Sequence, residues 1–184
     1  MTDQSDLHAS VADNFAAVIA QTTRWDAPTP VAEWQARDIV DHLITWPMPV
    51  LEAWAGLRLS DDPSASLNQR WKDRTAQLQA VLEDPAVASR TVTEGPFAGQ
   101  PASLVIDRAY TADVFMHTWD LAAAAGQPTR LDPDYARSLL DGLRPIEQVL
   151  RDSGQYGPAH PTDSNDPIDQ LMAFIGRDPS WQSQ

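Results

Sequence analysis

The sequence contains no cysteine. This absence excludes a disulfide framework, a cysteine-based zinc finger and a thiol nucleophile. Histidines and carboxylates remain as the strong metal ligands, and the chain has only four histidines. Any metal site in this protein must therefore be built from nitrogen and oxygen donors.

Positive charge is scarce as well. Lysine and arginine together number 13 against 26 aspartates and glutamates, which leaves a formal net charge of −13. A nucleic-acid backbone and an anionic membrane surface both require clustered basic residues. We therefore expect small molecules or other proteins as partners, and neither nucleic acid nor membrane.

Long apolar runs are also missing. No stretch reaches the roughly 18 apolar residues that a membrane-spanning helix needs. The first residues, MTDQSDLHAS, lack the basic and apolar regions of a secretion signal. We expect a cytoplasmic protein, and 184 residues suit one domain with a real core better than two.

Apolar residues recur at helical spacing along most of the chain. Pro47 and Pro49 predict a break just after Trp46, and 88–101 reads as a short hairpin or an irregular loop. The pattern predicts an all-α four-helix bundle over about 4–151, within a single domain 1–184, followed by a C-terminal extension over about 152–184. The predicted helices are 4–23, about 35–59, 64–82, 103–125, 132–151 and 167–176.

The fourth predicted helix is apolar on most sides, yet it carries Asp113 and His117 one turn apart. Burying an unpaired carboxylate or imidazole is costly, so both side chains should have partners. At this spacing they can reach one point beside the helix. The inward positions, separated by threes and fours, are Ile106, Tyr110, Asp113, His117, Leu121 and Ala124.

A third candidate ligand, His42, lies on the apolar stripe of the second helix. An isolated Asp-x-x-x-His pair is more commonly a packing contact. Two histidines and a carboxylate from facing helices would instead form a three-point metal site with open positions for water and substrate. This spacing does not choose among zinc, nickel, iron and manganese.

Other residues offer competing assignments. Asp38 also precedes His42 by four residues, but it falls in the first turn of its helix, where the helix dipole already accounts for an acidic residue. His8 and His160 are interpreted as surface residues. Asp120 follows His117 by one turn and is either an acceptor for that histidine or the partner of an arginine such as Arg37.

Tryptophans are numerous. Trp46 lies one turn beyond His42 at the predicted break, where it would line the mouth of a metal pocket, and we interpret it as a substrate-binding residue. The others near apolar stripes are expected in the core or in a pocket wall rather than in an aromatic ligand cage. These are Trp34, Trp54, Trp71 and Trp119.

Three segments together resemble the N-terminal, metal-binding domain of mycothiol-dependent maleylpyruvate isomerase, within the DinB-like superfamily, in its actinobacterial relatives. The segments are PTPVAEWQARDIVDHL (28–43), HTWDLAAAAGQ (117–127) and DPIDQLMAFIGRDPSW (166–181). The resemblance implies a four-helix bundle that holds one divalent metal, usually zinc, with mycothiol as the thiol cosubstrate. Carried over to this chain, it implies His42, Asp113 and His117 as ligands, with Asp113 where the characterised isomerase has the longer glutamate.

These observations lead to three functional hypotheses. The first is a metal-dependent S-transferase or isomerase that uses a low-molecular-weight thiol, mycothiol, on a small electrophile. The second is a non-catalytic DinB-like protein with a metal-binding or stress-associated role. The third is a metal-dependent hydrolase, although no further general base accompanies the predicted ligands.

Overall fold

A computed structural model describes residues 3–183, and its helices begin and end close to most of the predicted positions. No strand occurs within these residues, so the predicted all-α class is confirmed there. The helices are α1 Asp3–Gln21, α2 Ala36–Thr45, α3 Pro47–Ala55, α4 Leu67–Glu83, α5 Pro85–Ala88, α6 Ala102–Val105, α7 Ala112–Ala125, α8 Pro133–Leu143, α9 Glu147–Asp152 and α10 Pro167–Phe174.

Four of these helices form the bundle. Helix α1 packs against α4 and α7, and α2 packs against the same two helices. Their apolar faces meet in one core, to which Phe15, Leu43, Leu78 and Leu121 contribute fully buried side chains. The predicted four-helix bundle is therefore present, and α2 and α7 lie side by side within it.

The fourth predicted helix consists of α6, a π-helical segment Ile106–Thr111 and α7. A π-helical turn is uncommon and occurs often near functional sites. This one ends two residues before Asp113. The predicted inward face is buried except at Asp113, whose side chain is 23% exposed.

The predicted break after Trp46 is confirmed, because α2 ends at Thr45 and α3 begins at Pro47. Proline lacks a backbone N–H, so the last carbonyls of α2 lose helical donors. The buried Arg74 of α4 supports the chain at this break, since its Nε donates to the carbonyl of Ile44 at 2.8 Å. Its Nη2 donates to the carbonyl of Ser60 at 3.1 Å.

The single helix predicted over 132–151 is wrong. A 3₁₀ turn, Arg144–Ile146, separates α8 from α9, and Pro145 within it explains the interruption. From Ile146 onward the predicted apolar face is largely exposed, because Ile146 is 46% and Val149 is 67% exposed.

The segment 88–101 is an irregular loop closed by one antiparallel bridge between Thr91 and Pro101. Within it Gly95 has a φ of 72°, and a Cβ there would lie 2.5 Å from the ring of Trp54. Only glycine fits this position without displacing the ring. In 3–183, none of the helices has both the length and the apolar character that crossing a bilayer would require.

Candidate metal centre

The packing of α2 against α7 brings the three sequence-predicted ligands together. His42 lies in the last turn of α2, and Asp113 and His117 lie one turn apart on α7. Each offers one ligand atom, and these atoms all lie within 4.8 Å of one another. Among the described residues they form the one such cluster of histidines and carboxylates.

Asp113 lies between the two imidazoles. Its Oδ2 is 3.1 Å from Nε2 of His42, and its Oδ1 is 3.5 Å from Nε2 of His117. Two ligands bound tetrahedrally at about 2.1 Å from a zinc ion are about 3.4 Å apart. These two distances are close to this separation, so the three residues could hold a small divalent cation.

Asp120 and Arg177 support His117 from behind. Nδ1 of His117 donates to Oδ2 of the fully buried Asp120 at 2.9 Å. Arg177 donates twice to the same carboxylate, from Nε to Oδ1 at 2.9 Å and from Nη2 to Oδ2 at 3.2 Å. Because Asp120 holds the Nδ1 proton, Nε2 of His117 is the nitrogen directed at the ligand cluster.

Both sequence-based interpretations of Asp120 have a counterpart in the structure, but the arginine named for it was wrong. Arg177, which follows α10, makes the ion pair. Arg37 instead directs its Nε at the carbonyl of Trp25, 3.4 Å away.

The charged groups of the cluster shift the pKa values of Asp113 and His117. Burial raises the pKa of the Asp113 carboxyl, but His117, His42 and the hydrogen bond from Trp46 outweigh it and hold that pKa below its ordinary value. Burial lowers the pKa of His117, but the carboxylates of Asp113 and Asp120 outweigh it and raise that pKa. Without a cation, the aspartates therefore favour the positively charged imidazole, and a cation at the cluster would replace that charge.

Two tryptophans contact the cluster. The ring of Trp34 is nearly parallel to that of His117, with centroids 5.7 Å apart, and lies 5.0 Å from that of His42. Nε1 of Trp46 donates to Oδ2 of Asp113 at 2.9 Å. Trp46 thus contacts the cluster directly, and Trp34 packs against both of its histidines.

The left-handed backbone at Glu33 helps to place Trp34. Glu33 has a φ of 67°, the one positive value at a non-glycine residue in 3–183. The turn is closed by hydrogen bonds from the N–H of Trp34 to the carbonyl of Val31 and from the N–H of Thr29 to the carbonyl of Trp34. Such strained conformations cluster at functional sites.

Of the remaining sequence interpretations, two are confirmed and one is wrong. Asp38 is confirmed as a helix-start residue, since its Oδ2 accepts from the N–H of Gln35 at 2.7 Å. His160 is exposed, as expected. The surface assignment of His8 is wrong, because His8 is 1% exposed and its Nδ1 lies 2.8 Å from Oε1 of Gln79.

Helical periodicity could not predict two of the residues that lie near the site. Arg177 is 57 positions from Asp120, and Tyr156 lies in the loop that precedes α10. The only signal for Arg177 in the sequence is the motif Gly-Arg-Asp-Pro at 176–179.

Known proteins resemble this chain over most of its length. An uncharacterized protein of Mycobacterium tuberculosis, strain CDC 1551 / Oshkosh, is 32% identical over 178 residues, which cover 92% of this chain and 95% of the relative. An uncharacterized protein of strain H37Rv has the same identity and coverage. No solved structure matches the chain significantly. Residues 7–122 match the model described as the mycothiol maleylpyruvate isomerase N-terminal domain, and the chain therefore belongs to that family.

Proposed function

We propose that this protein binds one divalent metal ion, most readily zinc, through His42, Asp113 and His117. We further propose that it uses a low-molecular-weight thiol, mycothiol, to transfer sulfur to a small electrophile or to isomerise that electrophile. The observation that carries the proposal is the convergence of two imidazoles and one carboxylate from facing helices. The family description, which names mycothiol, supports the choice of thiol.

The outer contacts of the cluster are those expected of a metal centre. A histidine ligand commonly donates its second N–H to a carboxylate, and here Asp120 accepts that hydrogen bond within the bundle. A purely structural His–Asp pair would not need His42 as a third group. Three protein ligands also leave room for exogenous ligands, which distinguishes a catalytic centre from a closed structural one.

When bound, a divalent ion lowers the pKa of a thiol or water that coordinates it. The protein residues hold the ion and orient the groups around it. Asp113 and the two histidines hold the ion, Asp120 orients His117, the ring of Trp34 packs against both histidines, and Trp46 donates a hydrogen bond to Asp113. In the transfer, the S–H bond breaks and a C–S bond forms to a carbon that gives up either one bond of a C=C or C=O group or its bond to a leaving group. In an isomerisation, the C–S bond then breaks again and the thiol recovers its proton. The thiol proton ends on the adduct or on the displaced group.

Elemental analysis of the purified chain tests the metal part of the proposal. We expect about one divalent ion per chain, which His117→Ala removes. The matched control is His160→Ala, which changes an exposed histidine outside the cluster and should keep the ion. A wild-type chain that stays empty when zinc, nickel, iron or manganese is supplied would refute the metal site.

Thiol consumption tests the reaction. We expect the metal-loaded chain to consume mycothiol together with an electrophile, and His117→Ala to lose this activity. A loaded chain that neither binds nor consumes mycothiol would remove the transferase or isomerase from the proposal. The non-catalytic metal-binding role would then be the better description.

A further inference from the structure

The C-terminal segment places a tyrosine hydroxyl beside the metal centre. Asp113, Met116, His117 and Asp120 follow the i, i+3, i+4, i+7 pattern of one face of α7. The hydroxyl of Tyr156 donates to Sδ of Met116 at 3.8 Å, so it lies over this face. Tyr156 belongs neither to the family-matched segment 7–122 nor to the proposed ligand set.

This hydroxyl is poorly satisfied. A thioether sulfur is a weak acceptor, and it is the only hydrogen-bond acceptor of Tyr156 among the described residues. A half-buried hydroxyl that has lost hydrogen bonds to water is stabilised when it donates to a stronger acceptor. Burial and the nearby Asp113 raise the pKa of Tyr156 more than Arg177 lowers it, so the hydroxyl keeps its proton.

The loop that carries Tyr156 is firmly held. Arg151 donates to the carbonyl of Gly157 and, at 3.0 Å, to the carbonyl of Phe174. The N–H of His160 donates to the carbonyl of Ala173 at 2.8 Å. These bonds tie the segment that follows Tyr156 to α10.

The backbone at Gly176 also packs closely against this loop. A Cβ at Gly176 would lie 2.9 Å from the carbonyl oxygen of Pro158, and Gly176 has a φ of 92°. Arg177, the next residue, carries the ion pair to Asp120. The segment 156–177 therefore supports His117, through Arg177 and Asp120, and also places Tyr156 over the same face of α7.

We propose that Tyr156 is a ligand-binding residue, which donates its hydroxyl proton in a hydrogen bond to an anionic ligand on the open side of the metal centre. This inference rests on the proposed metal site. The contact with Met116 is then the resting position of the hydroxyl, which rotates to the stronger acceptor when a ligand enters. One charge-assisted hydrogen bond in such a site changes affinity by on the order of 10-fold.

The test uses cobalt(II) as the metal and acetohydroxamate as the anionic probe, with binding followed in the visible absorption of cobalt. We expect Tyr156→Phe to take up cobalt like the wild type, to unfold at the same temperature and to bind acetohydroxamate about 10-fold more weakly. The matched control is Tyr135→Phe, because Tyr135 packs against Phe115 away from the cluster. It should bind the probe as the wild type does.

A second variant separates ligand binding from packing. Met116→Leu removes the resting acceptor but keeps an apolar side chain, so we expect unchanged or tighter probe binding. Unchanged affinity in Tyr156→Phe, or equal weakening in Tyr156→Phe and Met116→Leu, would overturn the role of Tyr156 and leave the metal site standing. A wild-type chain that takes up no cobalt would overturn both proposals.

Discussion

Arg177 and Asp120 form a two-point ion pair across 57 residues of sequence, and the carboxylate in it is fully buried. Asp120 uses one of the same oxygens to accept from His117. The pair thus connects the C-terminal segment to the candidate metal centre. A change at Asp120 should therefore affect both the fold and metal affinity.

We expect Asp120→Asn to lower metal affinity by about 10- to 100-fold, since contacts behind a histidine ligand contribute that much. The free energy of unfolding should fall by about 2–4 kcal/mol, because the arginine loses a buried counter-charge. Competition with a chelator measures the affinity, and urea unfolding of the metal-free chain measures stability. Asp134→Asn is the matched control, since Asp134 pairs with Arg137 on an exposed face. Equal effects of the two variants would argue against the support role.

Substitutions at Asp113 test whether this carboxylate is a metal ligand. We expect Asp113→Asn to abolish stoichiometric metal binding, because an amide is a far weaker ligand than a carboxylate. Asp113→Glu should retain about one ion per chain, because it keeps the charge and the resemblance implies glutamate in the characterised isomerase. Metal content after dialysis against limiting zinc is the measurement. Retention of the ion by the asparagine variant would exclude Asp113 as a ligand.

Substitution of Arg74 tests how α4 supports the break between α2 and α3. We expect Arg74→Met to lower the free energy of unfolding by about 1–3 kcal/mol, because the buried carbonyl of Ile44 would lose this donor. Urea unfolding measures the change. Arg137→Met removes an exposed arginine and should change stability by less than about 0.5 kcal/mol. Comparable losses in the two variants would contradict this account of the break at Trp46.

His8 makes stability depend on pH. Burial lowers the pKa of this imidazole, against weaker opposing effects of Gln79 and Asp13. The folded chain therefore binds the proton less readily than the unfolded chain, whose histidine pKa is about 6.5. The stabilising contribution of neutral His8 is complete above that value and is lost as the pH falls toward the lower, folded pKa, by at most about 1.4 kcal/mol per pH unit.

Unfolding of the metal-free chain between pH 8 and 5 tests this dependence. We expect the stability of the wild type, relative to that of His8→Gln, to decline as the pH falls. His160→Gln should follow the wild type, since His160 is exposed. A constant difference between the wild type and His8→Gln across this range would show that His8 titrates alike in both states.

Much of the architecture was predictable because it depends on local pattern. The helical stripes, the break at Trp46 and the one-turn separation of Asp113 and His117 follow from residue types a few positions apart. The helix predicted over 132–151 failed because its apolar spacing continued past Pro145, where the chain turns and Val149 becomes exposed. Spacing alone cannot show whether a neighbouring element covers a face.

His8 illustrates the same difficulty in the opposite direction. A histidine near a chain end reads as a surface residue. It lies, however, on the same helical face as the core residues Ala12 and Phe15, one and two turns later, and Gln79 from α4 meets its ring. The partner that makes this burial tolerable is 71 residues away.

The sequence by itself determined the chemistry available to this protein. Without cysteine, a metal site needs histidines and carboxylates, and helical periodicity places Asp113 and His117 on one face. Only the tertiary structure decided that Arg177, and not Arg37, pairs with Asp120, and that Tyr156 lies over the site. The reason is physical: periodicity orders residues within a helix, whereas contacts between distant segments depend on how the whole chain packs.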